Sequence, residues 1–272
     1  MHFEQLAWDI SFIKSAALRS PKFRMPRKAK AVKYPLRLLR YWFPCHFINH
    51  EFALKKRALT VCEVGVGTGE MLQFMLAAKA AEDATVAWSR WDAVDIRFEE
   101  EQLAACGYDE LIEMNLEDSS RALPRRYDVM VLLHVLEHLH SPELILPDLV
   151  AHVVPGGILV GGFPSHPHWS VRLRERRLGR KAQKFGHVTA FSPKRVRDLA
   201  RQNGLRLEFL SGAFLMRSKG FFLENFAWWL RANLLFGALF PSWPGEIYWL
   251  MRKPENSECS CPTIGSSLPD AL

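Results

Sequence analysis

The 272-residue sequence predicts a doubly wound α/β fold, in which a seven-stranded, mostly parallel sheet carries helices on both faces. Three observations predict it. Apolar runs of strand length alternate with helical patterns between residues 58 and 252. One run, Leu59–Val64, enters a turn with glycine at 65, 67 and 69. Another, Tyr127–Leu133, is apolar enough to be buried on both faces. In such sheets a ligand binds at the carboxyl ends of the strands.

Short apolar runs predict the seven strands: Leu59–Val64, Trp91–Val94, Leu111–Met114, Tyr127–Leu133, Ile158–Phe163, Arg206–Leu210 and Ile247–Met251. Helical patterns predict four helices between them: Glu70–Ala81, Arg97–Cys106, Ser141–His152 and Ser192–Asn203. Pro142 and Pro193 stand in the first turns of the last two helices, where the missing N–H of proline costs nothing. Gly107 and Gly204 follow the ends of two helices, where glycine is typical.

Charge divides the chain into parts. Residues 14–57 hold 13 Lys or Arg and one acidic residue, Glu51, whereas the whole chain has a net charge of only +7. We therefore predict a basic, aromatic N-terminal extension over residues 1–57 and an α/β domain over 58–252, with inserts at 166–186 and 217–245. The additions at both ends of the domain are expected to be helical and aromatic. The polar tail, 253–272, is predicted to be disordered.

Composition excludes several classes of protein. Apolar residues make up 49% of the chain, which argues against global disorder. The five cysteines are odd in number and show no zinc-binding spacing, so they indicate a reducing cytoplasm. The N-terminal segment has acidic residues and no basic region of the kind that begins a signal peptide. Residues 221–243 are rich in Phe and Trp, but Glu224 and Arg231 interrupt them, which predicts an interfacial helix or a lid over the substrate pocket rather than a membrane span.

The turn after the first strand carries the chemical signal. Residues 63–69 read EVGVGTG, and glycine permits both the unusual backbone angles and the close approach of a ligand. Glu70 stands where a dinucleotide fingerprint would have its third glycine, and an acid there disfavours a pyrophosphate. S-adenosylmethionine (SAM), which carries a sulfonium and an ammonium but no phosphate, suits acidic surroundings. Asp95 ends the second strand, where a carboxylate can accept both ribose hydroxyls.

Three stretches resemble class I SAM-dependent methyltransferases: residues 61–70 (VCEVGVGTGE), 127–165 and 185–205. The second, which contains VLEH, is similar to the ubiquinone-type O-methyltransferases. The resemblance covers residues 58–252. It implies a Rossmann-like fold and SAM as the cofactor, with S-adenosyl-L-homocysteine as the product.

The resemblance also implies which residues bind the cofactor. Asn115 stands where the family usually has an acid for the adenine amino group, and its side-chain oxygen could accept the same hydrogen bond. Leu116 would pack beside the adenine ring, and His134 would lie beside the methionine part and the methyl group. The implied cofactor-binding set is Glu63, Gly65, Gly67, Gly69, Asp95, Asn115, Leu116 and His134.

Histidines supply the predicted catalytic residues. The run LLHVLEHLH, residues 132–140, contains His138, and FGHVTAF contains His187; a histidine can remove a proton near neutral pH. An alternative for His138 and Glu137 is a structural role in this loop. His134, Glu137, His138 and His187 also resemble the E-x-x-E-H metal site of small-RNA 3′-end methyltransferases. Because His134 replaces the first acid, a hard cation such as Mg²⁺ is disfavoured, and we predict no metal, with a divalent ion as the alternative.

The acceptor is less determined by the sequence. The aromatic segment at 221–243 favours O-methylation of a small-molecule or lipid-linked acceptor, and the basic residues of the N-terminal extension and of 172–184 suggest an anionic membrane surface as a partner. We accordingly predict a cytoplasmic protein, peripheral at the inner face of the membrane. The alternatives are an RNA methyltransferase, acting on 3′ ends or tRNA, and a non-catalytic interaction subunit with the SAM fold. The oligomeric state stays open.

Overall fold

The computed structural model describes residues 3–11, 35–82, 86–98, 103, 106–118, 122–179, 186–216 and 222–255. Seven strands form one sheet: β1 Leu59–Val64, β2 Trp88–Asp95, β3 Glu110–Glu113, β4 Tyr127–Leu133, β5 Val153–Ser165, β6 Arg206–Gly212 and β7 Gly245–Arg252. The helices are α1 Pro35–Lys55, α2 Glu70–Glu82, α3 Pro142–Ala151, α4 Val171–Gly179, α5 Pro193–Gln202 and α6 Ala227–Leu239. Short 3₁₀ helices lie at Glu4–Leu6, Leu136–His138, His168–Ser170 and Phe222–Asn225.

The sheet has the order β3-β2-β1-β4-β5-β7-β6. Strands β1 to β5 are parallel, while β7 runs antiparallel to both β5 and β6. The switch in strand order falls between β1 and β4, so the loops after these two strands meet at one edge of the sheet. Because β7 is antiparallel, its first residues reach the same edge. The predicted seven-stranded fold is confirmed.

Apolar side chains alternate between the two faces of the sheet. Val61 faces the cluster that α1 and α2 cover, whereas Cys62 faces the cluster covered by α3 and α5. Strands β1 and β4 have the predicted bounds, and the other five differ by a few residues. Most of the helix predicted at residues 97–106 lies outside the described residues. Among the described helices, none combines the length and the apolar character needed to cross a membrane.

Helix α1 corrects one reading of the N-terminal extension. The basic residues of this extension suggest an anionic membrane surface as a partner, but its aromatic residues Tyr41, Trp42, Phe43 and Phe47 are all buried against the sheet. Trp42 and Phe43 have no exposed surface at all, and the ring of Phe43 stacks on that of Tyr248 in β7, with centroids 4.5 Å apart. This helix is therefore part of the core. The basic segment at 12–34 lies outside the described residues.

The start of the predicted tail is also ordered. Lys253 donates hydrogen bonds from Nζ to the carbonyl oxygens of Val150 and Val153, at 2.9 and 2.8 Å, and its backbone N–H donates to Gly157. The prediction of disorder is therefore wrong for Lys253, because its backbone and its side chain both hydrogen-bond to residues 150–157. Residues 256–272 lie outside the described part of the chain.

Candidate active site

The glycine turn closes β1 as the sequence predicts. Gly65, Gly67 and Gly69 have φ angles of +71°, +59° and +79°, a region that residues with a Cβ rarely occupy. A Cβ on Gly65 would also lie 2.4 Å from Cγ2 of Val135, in the loop after β4. The turn therefore requires glycine for two reasons, backbone conformation and the close approach of the neighbouring loop.

Asp95 is held against this turn. Its Oδ2 accepts a hydrogen bond from the backbone N–H of Gly67 at 3.1 Å, and its Oδ1 accepts from the backbone N–H of Ile96 at 2.7 Å. The backbone oxygen of Asp95 accepts from Met114 at 2.8 Å, which brings the end of β3 alongside. Asn115 follows there, with Oδ1 accepting from the backbone N–H of Glu117 at 3.1 Å. The predicted ribose and adenine residues thus lie beside the glycine turn.

Leu116 and Glu63 complete the predicted residues on this side. Leu116 is half-buried and packs on the cluster beneath β4. Glu63 is buried, and its Oε2 accepts hydrogen bonds from Trp91 Nε1 at 3.1 Å and from the Tyr108 hydroxyl at 3.0 Å. Burial raises the pKa of Glu63 to about 8, although both hydrogen bonds oppose that rise. Both donors are neutral, so a cation beside this carboxylate would be strongly stabilising.

His134 ends β4 in an unusual conformation. Its φ is +56°, and its backbone N–H donates to the Gly162 carbonyl at 2.8 Å. Left-handed backbone at a non-glycine residue is costly and is concentrated at functional sites. The His134 ring donates from Nδ1 to Oε1 of the buried Glu137 at 3.0 Å. Burial would lower the pKa of His134, but hydrogen bonding to Glu137 and Glu246 raises it above its ordinary value.

Sequence reasoning missed the residues behind His134. Glu246, at the start of β7, is buried and lies 3.8 Å from His134 Nε2. It accepts hydrogen bonds from Arg40 Nη2 in α1 at 2.9 Å and from the Tyr248 hydroxyl at 2.5 Å. Arg40 and Glu246 are 206 residues apart in the sequence. The only local signal is that Glu246 is an acid directly before the apolar run IYWLM.

The two predicted catalytic histidines lie together. The rings of His138 and His187 pack edge to face, with centroids 4.8 Å apart. His138 donates from Nδ1 to the Gly186 carbonyl at 3.2 Å, an assignment that follows because a carbonyl only accepts. The Glu137 carbonyl accepts from the backbone N–H groups of Val188 and Thr189, at 2.9 and 3.1 Å, and so fixes the segment that carries His187.

Glu137 joins these histidines through its side chain. One ligand-type atom each of Glu137, His138 and His187 lies within 4.8 Å of the other two. Oε2 of Glu137 is buried and has no hydrogen-bond partner among the described residues, while Oε1 accepts from His134. Such a group can hold a proton between histidines or hold a divalent ion. The sequence analysis assigned no metal, and that assignment stays a prediction.

The pKa of His187 moves in the direction that a base requires. Burial lowers it below 6.5, and the nearby rings of His138 and His134 lower it further, while Glu137 opposes them. The pKa of His166, at the end of β5, is lowered as well, first by burial and then by Arg174 and His187. His187 is therefore neutral at pH 7 and has a nitrogen lone pair that can accept a proton.

Comparison with known proteins identifies this arrangement. A family model described as "Methyltransferase domain" matches residues 37–209, a range that begins in α1 and contains the glycine turn, the loop after β4 and His187. The chain belongs to this methyltransferase family. A search of curated protein sequences found no significant match.

Two solved structures illustrate the shared fold of this methyltransferase. One is a chain of the complex between the Haloferax volcanii Trm112 methyltransferase activator and a putative methyltransferase, at 17% identity and a TM-score of 0.52, covering 85% of this chain and 97% of that chain. The other is a putative sarcosine dimethylglycine methyltransferase from Galdieria sulphuraria, at 13% identity and a TM-score of 0.52, covering 79% and 86%. At these identities the likeness shows the fold alone.

The enzyme is a SAM-dependent methyltransferase, and the predicted enzyme class and cofactor are confirmed. The residues at the turn suit this cofactor. Glu63, Glu70 and Asp95 place three acids around the glycines, and the carboxylate of the buried Glu63 accepts hydrogen bonds from two neutral donors, Trp91 and Tyr108. The hypothesis of a non-catalytic subunit is not retained. Which residue holds which part of SAM stays a prediction.

Proposed function

We propose that this methyltransferase acts on a hydroxyl oxygen of a small-molecule or lipid-linked acceptor, and that the pair His138–His187 removes the hydroxyl proton. One observation carries the proposal: two histidines and a buried glutamate converge at the edge of the sheet where β4 ends, next to the glycine turn. Val135 joins the two places, since it lies against Gly65 and is three residues from His138.

In the proposed chemistry, the residues around the glycine turn bind the cofactor and the histidines after β4 activate the acceptor. SAM, when bound, would supply an electrophilic methyl group on a sulfonium sulfur, so that the O–CH₃ bond would form as the S–CH₃ bond breaks and leaves a neutral thioether. Glu63, Asp95 and the glycine turn would hold the cofactor. His187 takes the acceptor's hydroxyl proton on a ring nitrogen, and His138, fixed by the Gly186 carbonyl, orients the ring of His187.

A base is the feature that favours oxygen. A hydroxyl is a weak nucleophile until its proton is removed, whereas a neutral amine attacks without a base. The lowered pKa of His187 keeps its ring neutral at pH 7. His134 has the opposite shift and is paired with Glu137, so we assign it a positioning role. The resemblance of the VLEH region to ubiquinone-type O-methyltransferases supports the same reaction.

The acceptor class can be tested directly. The purified protein is incubated with methyl-labelled SAM and with separate lipid, small-molecule and RNA extracts of the source organism. We expect label in the lipid or small-molecule fraction, as a methyl ether that survives mild alkaline hydrolysis. Label confined to RNA, or a product in which the methyl group is on nitrogen, would contradict the proposal.

A metal requirement is tested with the same assay. EDTA should leave the rate of methyl transfer unchanged. A loss of activity that Mn²⁺ or Zn²⁺ restores would instead assign Glu137, His138 and His187 to a metal site.

His187→Gln tests the base with the acceptor found in that screen. We expect kcat/KM to fall on the order of 100-fold, within the usual contribution of a positioned base. In the wild type, kcat/KM should rise with pH with a midpoint below pH 6.5, because the pKa of His187 is lowered, and the variant should lose this rise. His140→Gln is the matched control, since His140 is exposed and pairs with Glu117. SAM affinity should stay within about twofold in both variants.

A further inference from the structure

A cavity of about 650 Å³ lies at one edge of the sheet, and none of the residues assigned above to the cofactor or to proton removal lines it. Strand β6 is the last strand of the sheet and pairs only with β7 among the described strands, so its outer edge is open. Helix α5 covers one face of β6 and helix α6 covers the other. Both helices contribute walls, so the cavity extends around the open edge of β6.

The floor of the cavity is apolar. Six of its eight lining residues have no polar side-chain atom, and four of these six are buried, while Leu207 and Pro241 are half-buried. The volume is within the roughly 300–1,000 Å³ that is typical of small-molecule sites. Burial of an alkyl chain on such a floor is favourable, because it removes apolar surface from water. The six residues are Ala200, Leu205, Leu207, Leu210, Ala238 and Pro241.

Two close contacts fix the walls of the cavity. The backbone N–H of Leu205, the residue before β6, donates to the carbonyl of Ala200 in α5 at 2.9 Å. On the other side, Gly237 of α6 packs so closely on Gly212 of β6 that a Cβ on Gly237 would lie 2.3 Å from the Gly212 backbone. These contacts hold both helices in place on β6. The cavity is therefore preformed, as small-molecule sites usually are.

The mouth of the cavity is positively charged. The two remaining lining residues are Arg197 and Arg201 of α5, and both are exposed. Arg201 pairs with Asp198 at 2.9 Å, and Asp198 also pairs with Lys194 at 2.8 Å. Arg197 has no ion pair among the described residues, and no lining residue is acidic. One guanidinium at the mouth is thus left without a negative charge beside it.

The two parts of the cavity together define the chemistry of an occupant. The floor favours an alkyl chain, and the guanidinium of Arg197 favours one negative charge at the end of that chain. A carboxylate supplies a single charge and matches the planar fork of a guanidinium with two oxygens. A phosphate monoester would bring close to two negative charges to the same place.

We propose that this cavity binds a long-chain carboxylate, with the alkyl chain on the floor and the head group on Arg197 and Arg201. The site is separate from the residues that hold SAM and from the histidines after β4. It therefore goes beyond the proposed methyl transfer and does not depend on it. Binding of the carboxylate is measured without turnover, with dodecanoate as the probe.

Calorimetric titration of the full chain with dodecanoate, below its micelle-forming concentration, tests the proposal. We expect saturable binding of one dodecanoate per chain. Octanoate should bind at least about tenfold more weakly, because each buried methylene contributes roughly a factor of four to affinity. Dodecyltrimethylammonium, which has a chain of the same length and a positive head group, should also bind at least about tenfold more weakly, because the arginines repel it.

Arginine variants locate the bound head group. The double variant Arg197→Gln with Arg201→Gln should bind dodecanoate about tenfold more weakly, because the charge-assisted hydrogen bonds are lost. Lys194→Gln is the matched control: it removes the same charge from an exposed position of α5 that does not line the cavity, and its affinity should stay within about twofold of the wild type. SAM affinity should be unchanged in both proteins, which shows that each is folded.

Several outcomes would overturn the proposal. Absence of saturable dodecanoate binding would do so, as would equal binding by the double arginine variant or by the cationic amphiphile, since the ligand would then lie elsewhere. A concentration-dependent dimer that the double variant abolishes would assign the cavity to a second copy of the chain instead. None of these measurements involves methyl transfer, so the proposal can fail while the proposed function stands, and the reverse.

Discussion

The two halves of the site are built in different ways. The glycine half, comprising Glu63, the turn at 65–69 and Asp95, is fixed by backbone geometry and by bonds between neighbouring strands. The histidine half joins one short run, which holds His134, Glu137 and His138, to two residues distant in the sequence, His187 and Glu246. Short motifs can therefore reveal the glycine turn and the histidine run, whereas only the folded chain shows that Glu246 lies beside His134.

The halves also differ in how their acids are paired. Burial raises the pKa of Glu63 to about 8, and the two donors on its carboxylate are neutral. Glu246 is buried just as deeply but accepts a hydrogen bond from the Arg40 guanidinium. A positive charge on an incoming molecule is thus stabilised beside Glu63 in the glycine half, while Glu246 in the histidine half is already paired with the positive charge of Arg40. This difference fits a cationic cofactor on one side and a neutral hydroxyl acceptor on the other.

The largest expected effect comes from breaking the ion pair between Arg40 and Glu246 in the histidine half. Arg40→Met leaves the Glu246 carboxylate buried without its cation, and we expect the free energy of unfolding in urea to fall by about 3–5 kcal/mol. The double variant Arg40→Met with Glu246→Gln should recover part of that loss, because the uncompensated charge is gone.

An exposed ion pair provides the control for that comparison. Lys194 and Asp198 are one helical turn apart on α5 at 2.8 Å, and both side chains are partly exposed to water. Lys194→Met should cost less than about 1 kcal/mol. If Arg40→Met costs no more than Lys194→Met, then the histidine half is not held together by the pair between α1 and β7.

The contrast between local motifs and contacts of distant residues also explains which parts of the fold could be predicted from the sequence. Strands β1 and β4 were predicted to the residue, because each is a buried apolar run with clear ends. Helix α1 was misread, since aromatic residues mixed with basic ones look alike whether a helix is buried or lies on a surface. Two ion pairs accompany its burial, Arg40 with Glu246 and Glu51 with Arg252, at 2.9 Å each, and such pairs leave no local pattern in the sequence.

The second prediction concerns the contact between the two halves, where Gly65 of the turn lies against Val135 of the loop after β4. Gly65→Ala puts a Cβ 2.4 Å from Val135 and forces a left-handed backbone on alanine, so we expect a loss of about 1–3 kcal/mol in unfolding free energy. SAM affinity should fall on the order of 100-fold, or about 2.7 kcal/mol, because the turn must shift. Gly204→Ala is the control: its φ is +62°, with no atom within 4 Å of the added Cβ. It should show the strain without the loss of affinity, and equal affinity losses would refute the contact as the cause.

The smallest expected effect is on the pH dependence of SAM affinity, which tests whether Glu63 contacts a positive charge of the cofactor. With a pKa of about 8, Glu63 is mostly protonated at pH 7, and a bound cation favours its ionised form. Wild-type SAM affinity, divided by that of Glu63→Gln at the same pH, should rise by up to about tenfold between pH 7 and pH 9. The ratio cancels titration of the cofactor's own ammonium group. Tyr108→Phe should move the rise to higher pH, because the tyrosine hydrogen bond lowers the pKa of Glu63. A ratio independent of pH would mean that the buried carboxylate of Glu63 does not contact the positive charge of the cofactor. The two halves would then differ only in how their residues are brought together, and not in the charge of the molecule that each one binds.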